Sequence, residues 1–169
     1  MTNGWQHLSI PDAWVRSLDR FEDARGENVV LHDGDLSSTC LAMEFVHDTC
    51  SVSYCGVLRG IHTDEEAWRL MTCLVGHVHF AVVDFRVGQA WDRQVEILTL
   101  SDKTRLQVLL PPMVGAGFAV MSPLAVMHYK WSLPYDRMRQ RTYPYNDPAF
   151  QIVWPCVHPL VSERDRVGD

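Results

Sequence analysis

The sequence of 169 residues lacks an apolar run long enough to cross a membrane. Its first residues also lack the positive flank and the apolar stretch of a signal peptide. We therefore expect a cytoplasmic protein with no membrane partner. A chain of 19.4 kDa is long enough for one well-buried domain and short for two. We predict a single domain over 1–169, with an N-terminal arm over 1–20 and a C-terminal segment over 156–169.

Paired cysteines are also absent. The count of five is odd and no Cys-x-x-Cys spacing occurs, so the sequence indicates neither a disulfide framework nor a zinc knuckle. We expect reduced thiols that pack as small apolar groups. The five cysteines are Cys40, Cys50, Cys55, Cys73 and Cys156.

No segment concentrates positive charge as a nucleic-acid groove does. The 15 Lys and Arg residues are outnumbered by 21 Asp and Glu residues, which gives a formal net charge of −6. Nucleic acid is therefore not an expected partner. Internal repeats and low-complexity linkers are missing as well.

What the sequence does contain is a series of short strand-like runs separated by turn signals such as Val75-Gly76 and Val87-Gly88. Many short strands with few helical stretches predict an all-β fold, a sandwich or a jelly-roll barrel. A short helix is predicted to begin at Pro11-Asp12, and a turn is predicted over 21–26. The predicted strands are 29–32, 43–47, 57–62, 68–75, 77–86, 94–100, 105–110, 118–121, 126–131 and 150–154.

The stretch Gly56–His62 places an acid/base side chain at the end of an apolar run. A single histidine in such a place is more often a hydrogen-bonded core or surface residue. The next strand, however, carries Arg69 near its start, and Arg69 can reach the space before His62 if the two strands are neighbours. The alternative is a solvated Arg69 at the rim.

Two further features bear on chemistry. Tyr135 follows a proline in a loop, where a phenol can project into a cleft as a proton donor, or can simply pack at a rim. His77-Val78-His79 has the His-x-His spacing of metal-binding cupin barrels, but no carboxylate follows before Asp84. We predict no metal and treat these histidines as ordinary strand residues.

The run 51–62 resembles the hallmark of the dTDP-4-dehydrorhamnose 3,5-epimerases and related dTDP-4-keto-6-deoxysugar epimerases. The resemblance extends in consistent order from about Phe21 to Asp165. It implies a metal-free, cofactor-independent cupin jelly roll that forms homodimers and acts on a small-molecule substrate. Supporting matches are 23–26, 82–86, 111–118, 129–130, 146–148 and 154–155.

The same resemblance implies roles for individual residues. His62 falls on the catalytic base, Asp165 on the aspartate that pairs with it, and Tyr135 on the tyrosine that returns a proton to the opposite face. Arg69 stands where the family has a lysine near the enolate oxygen. A carboxylate beside an imidazole fixes its tautomer and stabilises the imidazolium, so the implied chemistry is physically sound.

Substrate-holding positions are partly retained and partly changed. Arg25 and Arg59 remain, whereas His47 and Thr49 replace a glutamine and an asparagine. Lys130 belongs to the matching pair 129–130 and is a further substrate-binding prediction. Departures from the family pattern are Ala116 for a second active-site histidine, Phe80 for an aspartate, and Asn28 and Val30 for aromatic and acidic residues.

Three functions remain open at this stage. One is an epimerase of a dTDP-4-keto-6-deoxysugar, acting at carbon three, carbon five or both. Another is an isomerase or cyclase of a non-nucleotide, polyketide-like intermediate, and the third is a non-catalytic family member. Convergence of His62, Asp165 and Tyr135 on one accessible cavity would favour an enzyme over the non-catalytic reading.

Overall fold

The computed structural model describes residues 4–34, 36, 39, 41–88 and 93–169. Thirteen strands and one short helix are assigned within these ranges, and two 3-10 turns occur at Arg137–Arg139 and Pro148–Phe150. The strands are β1 Gln6–His7, β2 Trp14–Ser17, β3 Arg20–Asp23, β4 Gly26–Val29, β5 His47–Tyr54, β6 Leu58–Asp64, β7 Arg69–Val75, β8 His77–Asp84, β9 Val95–Ser101, β10 Leu106–Leu110, β11 Val114–Val120, β12 Leu124–Trp131 and β13 Gln140–Thr142, and the helix is α1 Glu163–Val167.

Two antiparallel sheets form the body of the fold. One has the order β1-β2-β10-β7-β12-β5, the other has the order β13-β6-β11-β8-β9, and β3 and β4 form a separate hairpin. The main core lies between the sheets and combines Met71 and Met127 of the first with Phe80 and Phe118 of the second. The predicted all-β jelly-roll fold is confirmed. Within the described ranges no helix is long and apolar enough to span a membrane.

The helix predicted at Pro11-Asp12 is wrong. Pro11 and Asp12 form a turn between β1 and β2, and Arg86 holds this turn through Pro11 O and Asp12 Oδ2. Strand β2 pairs with β10 over four residues. Pairing with an existing sheet edge therefore outweighs the local helix-start signal.

Several other element boundaries differ from prediction. The stretch 43–46 is not a strand, because Met43 and Phe45 pack against a cluster outside the ladder, and β5 begins at His47. The stretch 151–154 is irregular and follows a 3-10 turn, with Phe150 buried at its end. The predicted turn over 21–26 is shorter in the structure, because β3 extends to Asp23 and β4 begins at Gly26. Strand β4 ends at Val29, so the predicted strand 29–32 is present only at its first residue.

The cysteines are only partly as expected. Cys73 is buried and its thiol faces backbone carbonyls, but Cys50 and Cys55 are exposed thiols, so the packing prediction is wrong for these two. Cys50 belongs to β5, an edge strand of its sheet. Cys156 is half-buried and free, and Cys40 lies outside the described residues.

Two glycines bring β6 and β11 close together and so set the position of His62. A Cβ on Gly60 would lie 2.5 Å from the Cα of Gly117, and a Cβ on Gly117 would lie 2.9 Å from the carbonyl oxygen of Arg59. Gly60 also has a backbone φ of +109°, a value that residues with a Cβ rarely adopt. The ladder is irregular at this point, and beyond it His62 faces Ala116 of β11.

Candidate active site

A cavity of about 260 Å³ lies beside β6, β7, β11 and β12. Its apolar lining comes from side chains that face into the barrel, including Met71, Phe118 and Trp131. Polar groups that converge on a concavity with apolar walls are typical of a small-molecule site. The polar lining residues are Thr49, Ser51, Arg59, His62, Arg69, Tyr129, Tyr135, Gln140 and Arg164.

His62 and Asp165 form a close pair at this cavity. His62 Nε2 lies 2.5 Å from Asp165 Oδ1, although 103 residues separate them in the sequence. The histidine side chain is 35% exposed and the aspartate side chain only 6%. A carboxylate accepts hydrogen bonds, so the neutral imidazole carries its proton on Nε2 and leaves the Nδ1 lone pair available as a base.

Hydrogen bonds within and around α1 fix Asp165 in position for this contact. It lies in α1, whose first turn is capped by Ser162, and Ser162 Oγ accepts the Asp165 N–H at 3.1 Å. Burial raises the pKa of the Asp165 carboxyl, but hydrogen bonds from His62, Ser162 and the Gly60 backbone outweigh burial, so the net pKa is lowered. The carboxylate therefore remains charged beside His62 at neutral pH.

Arg69 is a buried cation in the cavity wall, so the alternative of a solvated rim residue is wrong. Its Nη1 donates to the His62 carbonyl at 3.0 Å and its Nη2 donates to the Val114 carbonyl. The guanidinium carbon lies 5.7 Å from the ring centroid of Trp131. Within the described part of the chain, no carboxylate forms an ion pair with Arg69.

Burial lowers the pKa of Arg69 to about 10, opposed by the negative charge of Asp64. The side chain still carries its proton at neutral pH. Its Nε is buried and has no partner among the described residues. Arg69 thus places a positive charge, with no carboxylate ion-pair partner among the described residues, in the cavity lining beside His62.

Two tyrosines border the cavity. Tyr135 is 51% exposed, and its ring meets Trp131 edge-on at 6.4 Å. Tyr129 lies in β12, with its hydroxyl 3.0 Å from Ser51 Oγ, and burial raises its pKa to about 12. In the sequence, Tyr129 belongs to a predicted strand and to the matching pair 129–130, and no site role is predicted for it. Its alternation with Trp131 on the cavity face is the signal that could have identified it.

Gln140 and Arg164 are further cavity residues that sequence reasoning missed. Gln140 Nε2 donates to the buried carboxylate of Asp64, which also accepts the backbone N–H of Ala67 at 2.7 Å. Arg164 comes from α1 and forms an ion pair with Asp169 at 2.9 Å. No motif in the sequence distinguishes these two residues.

Among the predicted substrate-binding residues, Arg59 and Thr49 line the cavity. Arg59 Nε donates to Ser53 Oγ at 2.9 Å. Arg59 and Arg164 also border an adjoining cavity of about 360 Å³, which His62 shares. Arg59 and Arg164 therefore lie beside His62 where the two cavities adjoin.

The structure does not bring Lys130, His47 and Arg25 to this cavity. Lys130 alternates with Tyr129 and Trp131 along β12, so it points to the other face and pairs with Asp48 at 2.6 Å. His47 lies opposite Trp131 at the start of β5, outside the lining. Arg25 lies at the turn of the β3–β4 hairpin, 90% exposed, and pairs with Asp23.

Ala116 and Phe80, two of the positions that depart from the family pattern, occupy different environments. Ala116 is the direct cross-strand neighbour of His62 and lines the cavity, whereas Phe80 is fully buried in the main core. His77 and His79 lie on the opposite face of β8, where His79 meets the ring of Trp154 edge-on at 5.8 Å. No group of three or more potential metal ligands occurs among the residues the structure describes.

Comparison with known proteins gives consistent matches. The family model described as dTDP-4-dehydrorhamnose 3,5-epimerase matches residues 7–169. A dTDP-4-dehydrorhamnose 3-epimerase of Streptomyces niveus is 34% identical over 164 residues, covering 94% of this chain and 79% of the relative.

Two solved structures are similar over nearly the whole chain. The 4-keto-6-deoxy sugar epimerase from the novobiocin biosynthetic gene cluster of Streptomyces spheroides superposes with a TM-score of 0.91 at 31% identity, covering 95% of this chain and 83% of that one. The dTDP-6-deoxy-D-glucose-3,5-epimerase of Legionella pneumophila, in complex with dTDP-4-keto-L-rhamnose, gives 0.90 at 26% identity, covering 96% and 89%.

Proposed function

Because the chain belongs to the dTDP-4-dehydrorhamnose 3,5-epimerase family, we propose that it is an isomerase that moves a proton at a carbon next to the ketone of a dTDP-4-keto-6-deoxysugar. The observation that carries this proposal is the convergence of the His62–Asp165 pair, the Arg69 cation and two tyrosines on one cavity. Base, charge-stabilising group and acid are the three elements that such a proton transfer needs.

His62 acts as the base. Its Nδ1 takes the proton from the carbon next to the ketone, and the electron pair of that C–H bond moves into the enolate. The imidazolium then donates two N–H groups, one of them to Asp165 at 2.5 Å. The negative charge of Asp165 stabilises the cation as it forms.

Arg69 stabilises the enolate oxygen. Its guanidinium is already desolvated and held by two backbone carbonyls, so it needs little rearrangement when negative charge develops. Arginine presents a planar set of donors in place of a single ammonium group. A Coulomb interaction in a buried site is also stronger than the same interaction in water.

We assign the acid role to Tyr135, which returns a proton to the face opposite His62. Its exposure and loop position allow the phenol to exchange its proton with solvent. Tyr129 is the competing candidate, because it is buried, neutral at physiological pH and hydrogen-bonded to Ser51. We expect Tyr129 to orient the substrate.

Arg59, Arg164 and Thr49 are the proposed substrate-holding groups. The two arginines lie between the cavity and the adjoining space, where their charge suits a diphosphate. Among the described residues, Arg25 lies outside the cavities that His62 lines, so a substrate-binding role for Arg25 would need a second subunit. We propose a cytoplasmic homodimer of single-domain chains in which the exposed β3–β4 hairpin, with Phe21 67% exposed, meets the partner.

A second candidate function uses the same base on a non-nucleotide, polyketide-like intermediate. The apolar wall formed by Met71, Ala116 and Phe118 favours it, because this wall offers few polar partners for a sugar ring. The two candidates differ in whether the protein recognises dTDP.

The test combines binding with exchange. Wild-type protein is incubated with dTDP-4-keto-6-deoxyglucose in deuterated solvent, and deuterium next to the ketone is followed by NMR. In parallel, dTDP is added in a thermal unfolding experiment, because a ligand that binds the folded state raises the midpoint. Exchange with dTDP stabilisation supports the sugar epimerase. Absence of both transfers the assignment to the second candidate.

A further inference from the structure

We propose that Asp169 is a positioning residue, which attaches α1 to β13 at Thr142 and so keeps Asp165 in contact with His62. The inference rests on the proposed function, since it concerns the geometry of the proposed base. Asp169 itself does not line the cavity of His62.

The first observation is the strand register. Thr142 of β13 is the direct cross-strand partner of His62 on β6. The backbone N–H of Asp169 donates to the Thr142 carbonyl at 2.9 Å, and the Thr142 N–H donates to Asp169 Oδ2 at 3.0 Å. Asp169 thus engages both backbone polar groups of the residue that faces His62.

The second observation is a set of ion pairs. Arg164 approaches the carboxylate of Asp169 with two nitrogens, Nε at 3.2 Å from Oδ1 and Nη2 at 2.9 Å from Oδ2. Arg137 adds Nη2 at 3.0 Å from Oδ1. A two-pronged arginine contact fixes orientation better than a single contact does. Asp169 therefore links α1, β13 and the turn at Arg137–Arg139.

These neighbours also keep Asp169 charged. The hydrogen bond from Arg164 is the largest influence, and together with Arg137 it lowers the pKa of the Asp169 carboxyl to about 2. The ion pairs therefore persist throughout the neutral range.

The third observation is that α1 needs external support. It has only five residues, and a helix of that length is unstable by itself in water. Asp165 and Asp169 are four residues apart, one bonded to His62 and the other to Thr142 opposite it. The segment is also attached before Asp165, where Leu160 bonds to Gly56 and Leu58, and at Asp165, whose carbonyl accepts the Tyr145 N–H at 3.0 Å. The contacts of Asp169 hold the chain after Asp165, so their loss lets Asp165 shift relative to the imidazole.

The test compares Asp169→Ala and Asp169→Asn with a matched control. Asparagine keeps an oxygen for the Thr142 N–H but loses the charge that binds both arginines. Glu163→Gln is the control, because it removes an exposed ion pair to Arg166 on the same helix without any link to β13. The readouts are kcat and KM, and the ¹⁵N chemical shifts of the His62 ring without substrate, with Asp165→Asn as the reference for a lost partner.

We expect kcat to fall about tenfold in Asp169→Ala and less in Asp169→Asn, because small misplacements of catalytic groups slow the reaction strongly. The His62 ring shifts should move toward those of Asp165→Asn in both variants and stay unchanged in Glu163→Gln. Ring shifts that remain as in wild type in folded Asp169→Asn would overturn the inference. If wild-type protein shows no turnover, the proposed function fails, while the ring shifts still decide the role of Asp169.

Discussion

The base side and the cation side of the cavity are built in different ways. His62 depends on Asp165, a residue 103 positions away in a short helix that other contacts must hold in place. Arg69 instead lies on the strand that follows β6, and backbone carbonyls and the Trp131 ring hold it. The base side therefore depends on how the C-terminal segment is held, whereas the cation side depends on contacts within the two sheets.

The surroundings of Arg69 also explain how this cation is held without a carboxylate ion-pair partner among the described residues. Ala116, which lines the cavity together with Arg69, is apolar and supplies no charge that could pair with Arg69. Its charge is balanced by carbonyl dipoles and a π face in place of an ion pair. A cation without a carboxylate partner keeps more of its field for a developing enolate.

The largest expected effect is on the base side. His62→Asn should lower turnover of the ketosugar by about 10³-fold or more, because general-base catalysis contributes about 10²–10⁴-fold. The matched control is His128→Asn, since His128 also pairs with an aspartate, Asp48, at 3.0 Å but outside the cavity. Steady-state turnover of both variants is compared. An equal loss in the two would show that the effect is structural.

On the cation side, Arg69→Met should lower kcat by about 10²–10³-fold with a smaller change in KM, because the charge acts mainly on the transition state. Arg16→Met is the control, since Arg16 lies over the ring of Trp5 at 4.7 Å, away from the cavity. Kinetic constants of the two variants separate catalysis from packing. A loss confined to KM in Arg69→Met would assign Arg69 to substrate binding alone.

Substitution of the two tyrosines shows which of them acts as the general acid. Tyr135→Phe should slow epimerisation by about 10²-fold while deuterium exchange next to the ketone continues, because proton removal by His62 does not need the acid. Tyr129→Phe should mainly raise KM, through loss of a hydroxyl that bonds Ser51. Rates of epimerisation and exchange are measured together. The reverse pattern would transfer the acid role to Tyr129.

The smallest effect concerns acid stability. The pKa of Asp165 is lowered in the folded protein, so its charged form stabilises the fold at pH values above its unfolded pKa, which is near 3.8. That contribution is lost as pH falls through the lower folded pKa. Asp165→Asn should therefore be less stable than wild type at neutral pH, and the gap should close in acid. Urea unfolding at several pH values measures this gap, and a constant gap would contradict the assignment.

The sequence predicts the cation side better than the base side. Strand periodicity and a short connection bring His62 and Arg69 together, because adjacent strands in a chain commonly pair or face each other. Contact between His62 and Asp165 follows only from resemblance to a family, since no local pattern links residues so far apart. Lys130 shows an avoidable error, because the alternation of Tyr129 and Trp131 already places it on the other face.

Tertiary packing explains the other positions that the sequence does not predict correctly. The apolar residues Met43 and Phe45 suggest a strand, yet they fill a side cluster, so β5 begins later than predicted. Arg164 gives no signal in the sequence, because its place in the cavity depends on how α1 docks. Tertiary contacts decide such positions, and periodicity within a single segment does not report them.

The central claim is that His62 removes a proton next to the ketone inside this cavity. The most direct measurement is the initial rate of deuterium incorporation from solvent into dTDP-4-keto-6-deoxyglucose, followed by NMR for wild type and His62→Asn. We predict incorporation by wild type and none above the enzyme-free background by the variant. Incorporation by His62→Asn at the wild-type rate would contradict it.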